Sequence, residues 1–143
     1  MLSFTVSRLA AVALLTAGVA APALAGTSFP MPVQQGQVTY ISGGIGDDEI
    51  AAMKASAGAY DLLISNAEKD GSYTAGIDVI LRDGRGQVVL SAKDTGPLFY
   101  VKLAPGEYTL DANYHGVERV RDVAITPHHP AEIHLIWPEA ASS

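Results

Sequence analysis

Three histidines near the C-terminus are the residues of this chain best suited to chemistry. His128 and His129 are adjacent, and His134 follows five residues later. Imidazole nitrogens bind Zn²⁺ and Cu²⁺, and His115 or a nearby carboxylate could complete the ligand set. The spacing therefore makes a metal site at His128, His129 and His134 one candidate function.

The surroundings of these histidines favour an ordinary surface role instead. His128 and His129 have a proline on either side, which predicts a loop between two strands. His134 alternates with Ile133 and Leu135, so a strand that buries those two residues points His134 to solvent. A metal site needs three or four converging ligands, so we expect no bound metal and no other cofactor.

Three consecutive acids, Asp47, Asp48 and Glu49, follow the glycine-rich segment 43–46. A phosphate-binding loop would need a lysine here, and a calcium loop of the EF-hand type needs a different spacing. Acids are favoured in the first turn of a helix, and Asp47 can cap a helix start. The pattern predicts a capped helix and no ligand.

Enzymatic signatures are missing from the sequence. It contains no G-x-S-x-G, H-E-x-x-H or S-x-x-K motif. Most acids alternate with apolar residues, which predicts solvated carboxylates on strands. We expect the protein not to be an enzyme. A sugar- or peptide-binding aromatic face is an alternative, for which Tyr73 is the residue most open to exposure.

Apolar and polar residues alternate through the chain from residue 60 onward, with turn signals at each junction. The predicted strands are 60–65, 77–82, 87–92, 98–103, 107–114, 117–125 and 133–137. This cadence is typical of a β-sandwich. We predict a mainly β fold: a seven-stranded, mostly antiparallel Greek-key sandwich over residues 60–138.

The segment before residue 60 has a different character. Residues 26–37 form an extended lead-in, and 37–41 form a short strand candidate. Ile50, Met53 and Ala57 then recur at helical spacing, and Gly58 ends that pattern. We therefore predict a lead-in, a short strand and one short N-terminal helix over residues 26–59, and a disordered tail over 139–143.

Residues 1–25 have the anatomy of a secretory signal peptide. Arg8 precedes an apolar run over 9–20, and Ala23 and Ala25 frame a small-residue cleavage site. A bilayer needs about 20 apolar residues, so this run is too short to span one. We predict cleavage after Ala25, no membrane insertion of the mature chain, and a periplasmic or secreted location.

Composition excludes several classes of protein. The sequence has 143 residues, no cysteine and a formal net charge of −6. The predicted mature chain keeps fifteen acidic residues against eight basic ones, which makes its charge −7. Absent cysteine excludes a disulfide scaffold and a thiolate site. The acidic balance excludes nucleic acid as an expected partner.

Half of the predicted mature chain resembles a carboxypeptidase regulatory-like domain of the transthyretin (prealbumin-like) type. The resemblance rests on Val79–Asp83 with Val88–Leu90, on Leu103–Leu110 with its L-x-P-G-x-Y-x-L pattern, and on Tyr114–Gly116 before Val123–Ile125. It implies a transthyretin-like sandwich and says little about activity. The mature chain, with Tyr40–Gly46, also resembles small exported proteins of Gram-negative bacteria without assigned activity.

Together these patterns predict an exported, non-enzymatic accessory or interaction module of the bacterial envelope. Its partner would be an unidentified envelope protein or a glycan. The alternative function is a periplasmic metal-binding protein that uses the histidine cluster.

Overall fold

The computed structural model describes residues 29–139, which form nine strands and one α-helix. The strands are β1 (Val33–Gln35), β2 (Val38–Gly43), β3 (Leu62–Glu68), β4 (Ile77–Asp83), β5 (Val88–Thr95), β6 (Leu98–Lys102), β7 (Gly106–Tyr114), β8 (Val117–Ile125) and β9 (Ala131–Trp137). Helix α1 (Asp47–Ser56) continues into a 3-10 turn at Ala57–Ala59. The predicted signal peptide and residues 140–143 of the predicted tail lie outside the described residues.

The strands build two sheets. The first has the order β1-β2-β6-β3-β9, and the second has the order β5-β4-β7-β8. Strands β3 and β9 pair in parallel, and the other neighbours in both sheets pair antiparallel. The predicted mainly β sandwich with one short helix is confirmed, and the seven strands predicted after residue 60 correspond to β3–β9.

The five-stranded sheet also contains the chain before residue 60. The predicted strand at 37–41 is β2, which pairs with β6 in the body of the sheet. Strand β1 lies inside the segment that was predicted to be an extended lead-in, and it pairs with β2. Its three residues are too few to show the alternation by which a strand is recognised in sequence.

The main core lies between the sheets and is apolar on both inner faces. Its largest fully buried members are Trp137, Phe99, Leu62, Ile64, Ile77, Leu81, Leu90, Leu110, Leu135 and Val79. A few buried polar groups pair within it. The indole Nε1–H of Trp137 donates to Oδ1 of Asn66 at 3.0 Å, and the Thr74 hydroxyl donates to the Tyr114 hydroxyl at 3.0 Å. Buried polar groups need such partners.

A second, smaller core lies on the outer face of the five-stranded sheet, beneath α1. Met53 of α1 is fully buried there against Ile41, Tyr60, Leu98 and Tyr100. The consequence for β6 is that both of its faces are covered. Consecutive residues of β6 are therefore buried on opposite faces, Phe99 between the sheets and Tyr100 under the helix.

The start of α1 differs from the sequence prediction. The prediction that Asp47 caps the helix is wrong, because Gly46 occupies the N-cap position and Asp47 is the first helical residue. The carboxylate of Glu49 instead accepts hydrogen bonds from the backbone N–H groups of Gly44 at 2.8 Å and Ile45 at 3.4 Å. All three acids lie in the first turn of α1, as predicted, and Glu49 also fixes the loop that precedes it.

Candidate functional site

A groove runs along the outer face of the five-stranded sheet between α1 and β9. Its volume is about 550 Å³. Its walls come from α1, β3, β6, β9 and the loop after β3, with lining residues Lys54, Ala57, Leu63, Ile64, Ser65, Ala67, Tyr73, Leu98, Tyr100, Glu132, His134, Leu135 and Ile136. Because α1 covers only part of this sheet face, the uncovered part becomes a concave surface.

The groove has an apolar floor and a polar rim. Leu63, Leu98 and Tyr100 form the floor, and the small side chains of Ala57 and Ala67 leave space above it. Ile136 of β9 is half exposed at one side. Clefts of this size with an apolar lining and a few polar groups are the usual form of a binding site.

Two tyrosines and a lysine set the electrostatics at one end of the groove. The Lys54 ammonium lies 5.9 Å from the centre of the Tyr73 ring, and Tyr73 is 40% exposed. Burial raises the pKa of the Tyr100 phenol, and the negative charges of ionised Tyr73 and Glu132 raise it further. Tyr100 therefore stays a neutral hydroxyl that can donate a hydrogen bond within the groove.

Ser65, His134 and Glu132 form a polar row on the β9 side of the groove. Ser65 and His134 are direct partners across the parallel pair of β3 and β9, and a hydrogen bond joins Ser65 Oγ to His134 Nδ1. The other ring nitrogen of His134, Nε2, lies 3.9 Å from Oε2 of Glu132. The side chains of His134 and Glu132 are 69% and 61% exposed.

A hydroxyl, an imidazole and a carboxylate are the groups that serine hydrolases use. Here the carboxylate lies beyond hydrogen-bond distance from the imidazole, so it does not hold the ring in one orientation. The high exposure of both side chains also leaves them in water, where electrostatic effects on a reaction are small. The arrangement is suited to hydrogen-bonding a bound partner at the rim.

The structure separates the histidines that the sequence suggested as metal ligands. His128 and His129 lie in the exposed turn between β8 and β9. His134 lies on β9, about 10 Å beyond the first residue of that strand at a rise of about 3.3 Å per residue. His115 lies in the turn at the other end of β8 from His128 and His129, so the length of that strand, about 26 Å at the same rise, separates it from them. Within residues 29–139, no three His, Asp or Glu side chains come together as a potential metal site.

The groove itself was missed by sequence reasoning, except for Tyr73, which was expected to be open to exposure. Ser65 and His134 are 69 residues apart in sequence, and no local sequence pattern predicts their contact. The alternation along β9 did indicate that His134 faces away from the core. That single residue, together with Tyr73, was the available signal for this site.

Comparisons with known proteins give no family for this chain. No family model matches it, and no curated protein matches it.

None of the helices in residues 29–139 is long and apolar enough to cross a membrane.

The solved structures that share part of the chain path include two Bacillus proteins. The major pilin subunit BcpA of Bacillus cereus is 13% identical, with a TM-score of 0.42 over 55% of this chain and 29% of the pilin. The Bacillus anthracis TIE protein is 17% identical, with a TM-score of 0.42 over 54% of this chain and 15% of that protein. This chain spans less than a third of either neighbour. Such low overlap carries no conclusion about family or function.

Proposed function

We propose that this protein is an exported, non-enzymatic interaction module of the bacterial envelope, and that the groove beside α1 binds a partner protein. The groove is the observation that carries this proposal. Its floor is apolar and its rim offers hydroxyl, imidazole, carboxylate and ammonium groups, which matches the apolar centre and polar rim of a protein interface. Export rests on the signal-peptide pattern of residues 1–25.

The chemistry of the groove favours a protein partner over a glycan. Sugars are bound by exposed aromatic faces together with several polar groups, and here Tyr100 is buried and only Tyr73 offers an exposed ring. An apolar floor suits an aliphatic or aromatic side chain, whose burial contributes about 1.5–3 kcal/mol. The proposed occupant is thus an apolar anchor side chain of an envelope protein.

Site-specific photo-crosslinking in the cells that make the protein tests this proposal. A photoreactive phenylalanine analogue at Tyr73 is expected to capture one defined partner, and the same analogue at Val88, an exposed residue of β5, is the control. Filling the groove with Ala67→Trp is expected to abolish the adduct without lowering the melting temperature by more than a few degrees. Equal capture at both positions, or an adduct that survives Ala67→Trp, would contradict the proposal.

A further inference from the structure

Among residues 29–139, no strand pairs with the outer edge of β9, so β9 presents a free backbone edge beside the groove. It is the last strand of its sheet, with β3 on one side. The backbone N–H of Ala131 points to the β3 side, where it donates to Asp61 at 2.9 Å. Backbone groups alternate in direction along a strand, so Glu132, His134 and Ile136 direct their N–H and C=O groups to the free side. These three residues also line the groove.

Two arginines lie below this edge, on the core-facing side of β8. Arg119 and Arg121 are register partners of Ala112 and Leu110, whose side chains are buried between the sheets. Arg119 lies over the indole of Trp137 on β9, with its guanidinium carbon 5.5 Å from the ring centre. This contact places the positive charge of Arg119 beneath the C-terminal end of β9.

Within residues 29–139, neither arginine is paired with a carboxylate, because no acidic oxygen lies within 4.0 Å of Arg119 or Arg121. The guanidinium groups instead donate to backbone carbonyls, of Glu118 at 3.4 Å and Val120 at 2.9 Å. The acidic side chains of β8 alternate with the arginines and therefore project from the opposite face of the sheet. The core-facing side of this edge is thus locally positive, whereas Glu132 lies on its outer side.

We propose that the free edge of β9 accepts an extended peptide segment of a partner protein as an added strand whose inward side chains are acidic and meet Arg119 and Arg121. The segment's outward side chains are apolar and lie beside His134 and Ile136, where long ones reach the groove. This proposal rests on the proposed function, because it describes how the partner of the groove is held.

A second copy of this chain fits the edge less well. Pairing of two β9 strands around a two-fold axis would place both pairs of arginines on the same side of the joined sheet, where like charges repel. An acidic segment neutralises them instead. Charge complementarity therefore selects a peptide that alternates apolar and acidic residues.

Fluorescence anisotropy with a labelled octapeptide of alternating valine and glutamate tests the proposal on the full protein. The glutamate peptide is expected to bind at least about tenfold tighter than its glutamine counterpart. The double variant Arg119→Gln, Arg121→Gln is expected to lose that preference. The matched control Arg85→Gln, Lys93→Gln removes the same charge elsewhere and is expected to keep it. If the Arg119→Gln, Arg121→Gln variant still prefers the glutamate peptide, the proposal that the inward side chains of the partner segment are acidic is wrong.

Strand addition itself is tested by removing a single edge donor. Ile136→Pro deletes an N–H on the free side, where proline is tolerated, and is expected to abolish binding. Ile136→Thr keeps the N–H and is expected to bind within a few-fold of the wild type. If Ile136→Pro unfolds, a peptide N-methylated at alternate residues provides the same test on the wild-type protein. Unchanged binding of the proline variant, or of peptides methylated in both registers, would overturn strand addition.

Two further outcomes separate this inference from the proposed function. A partner that crosslinks to Tyr73 while neither octapeptide binds would leave the groove as the site and overturn the added strand. A dimer seen by sedimentation velocity and lost in Ile136→Pro would assign the edge to a second copy, which also overturns the proposal.

Discussion

The side-chain amide of Gln35 on β1 makes two hydrogen bonds with the backbone of Ser91 on β5. Its Nε2 donates to the Ser91 carbonyl at 2.7 Å, and its Oε1 accepts from the Ser91 N–H at 3.1 Å. These strands are edges of opposite sheets. One side chain therefore satisfies two backbone groups of β5 as a neighbouring strand would, and it closes that side of the sandwich.

Loss of this amide is expected to expose the β5 edge. Gln35→Ala should lower the free energy of unfolding by about 1 kcal/mol, since the bonds are exposed, and should increase self-association. Urea denaturation and light scattering measure the two effects. Gln34→Ala is the control, because within residues 29–139 the Gln34 amide bonds only to the nearby Gly36 carbonyl, at 3.2 Å. A monomeric Gln35→Ala protein of wild-type stability would contradict this role.

The sequence predicted β5 but not its contact with Gln35, and the reason is physical. Alternating residues and the Asp83–Gly86 turn define the β4–β5 hairpin locally, and Asp83 accepts from the N–H groups of Arg85 and Gln87 as such a turn requires. Gln35 reaches β5 from 56 residues away. That contact depends on how two sheets face each other, which periodicity does not encode.

In the candidate site, too, local features could be predicted from the sequence, whereas contacts between distant segments could not. Alternation around His134 indicated its outward direction correctly, and helical spacing indicated the face of α1 that carries Met53. The groove arises only when α1 lies over part of a sheet whose strands come from distant segments. Ser65 meets His134 through a parallel pairing, and a parallel partner has no hairpin turn to announce it.

Met53 anchors α1 to the sheet, and its truncation is expected to be costly. Met53→Ala should lower the free energy of unfolding by about 2–5 kcal/mol, because the side chain is fully buried. Met31→Ala is the matched control, since Met31 is 80% exposed and should change stability by less than about 0.5 kcal/mol. Chemical denaturation measures the unfolding free energy of both variants. Equal losses in Met53→Ala and Met31→Ala would show that α1 is only loosely attached to the sheet.

Tyr108 fastens the turn between β6 and β7. Its hydroxyl donates to the carbonyl of Ala104 at 2.7 Å, within the L-x-P-G-x-Y pattern. Tyr108→Phe should lower the free energy of unfolding by about 1 kcal/mol. Tyr73→Phe, at the exposed groove rim, should leave it unchanged. Thermal denaturation measures both, and a neutral Tyr108→Phe would show that the ring alone holds the turn.

The raised pKa values of three tyrosines predict that the protein loses stability at alkaline pH. Burial raises the pKa of Tyr60, Tyr100 and Tyr108 above the ordinary value of 10.0. The folded state therefore holds these protons more tightly than the unfolded state. The associated stability is complete below pH 10 and is lost as pH rises from the unfolded pKa through the folded one. Urea midpoints between pH 8 and 11 should fall, and Tyr100→Phe should reduce the fall. A midpoint independent of pH would contradict the prediction.

We expect that His128, His129 and His134 do not bind one metal ion together. His128 and His129 lie in a turn, whereas His134 lies along β9 and hydrogen-bonds Ser65, so their ring nitrogens cannot share one ion without breaking the strand. Calorimetric titration with Zn²⁺ or Cu²⁺ should give the same weak heats for the wild type and for His128→Ala, His129→Ala, His134→Ala combined. A 1:1 transition present in the wild type and abolished in the triple variant would contradict this expectation and restore the metal-binding function.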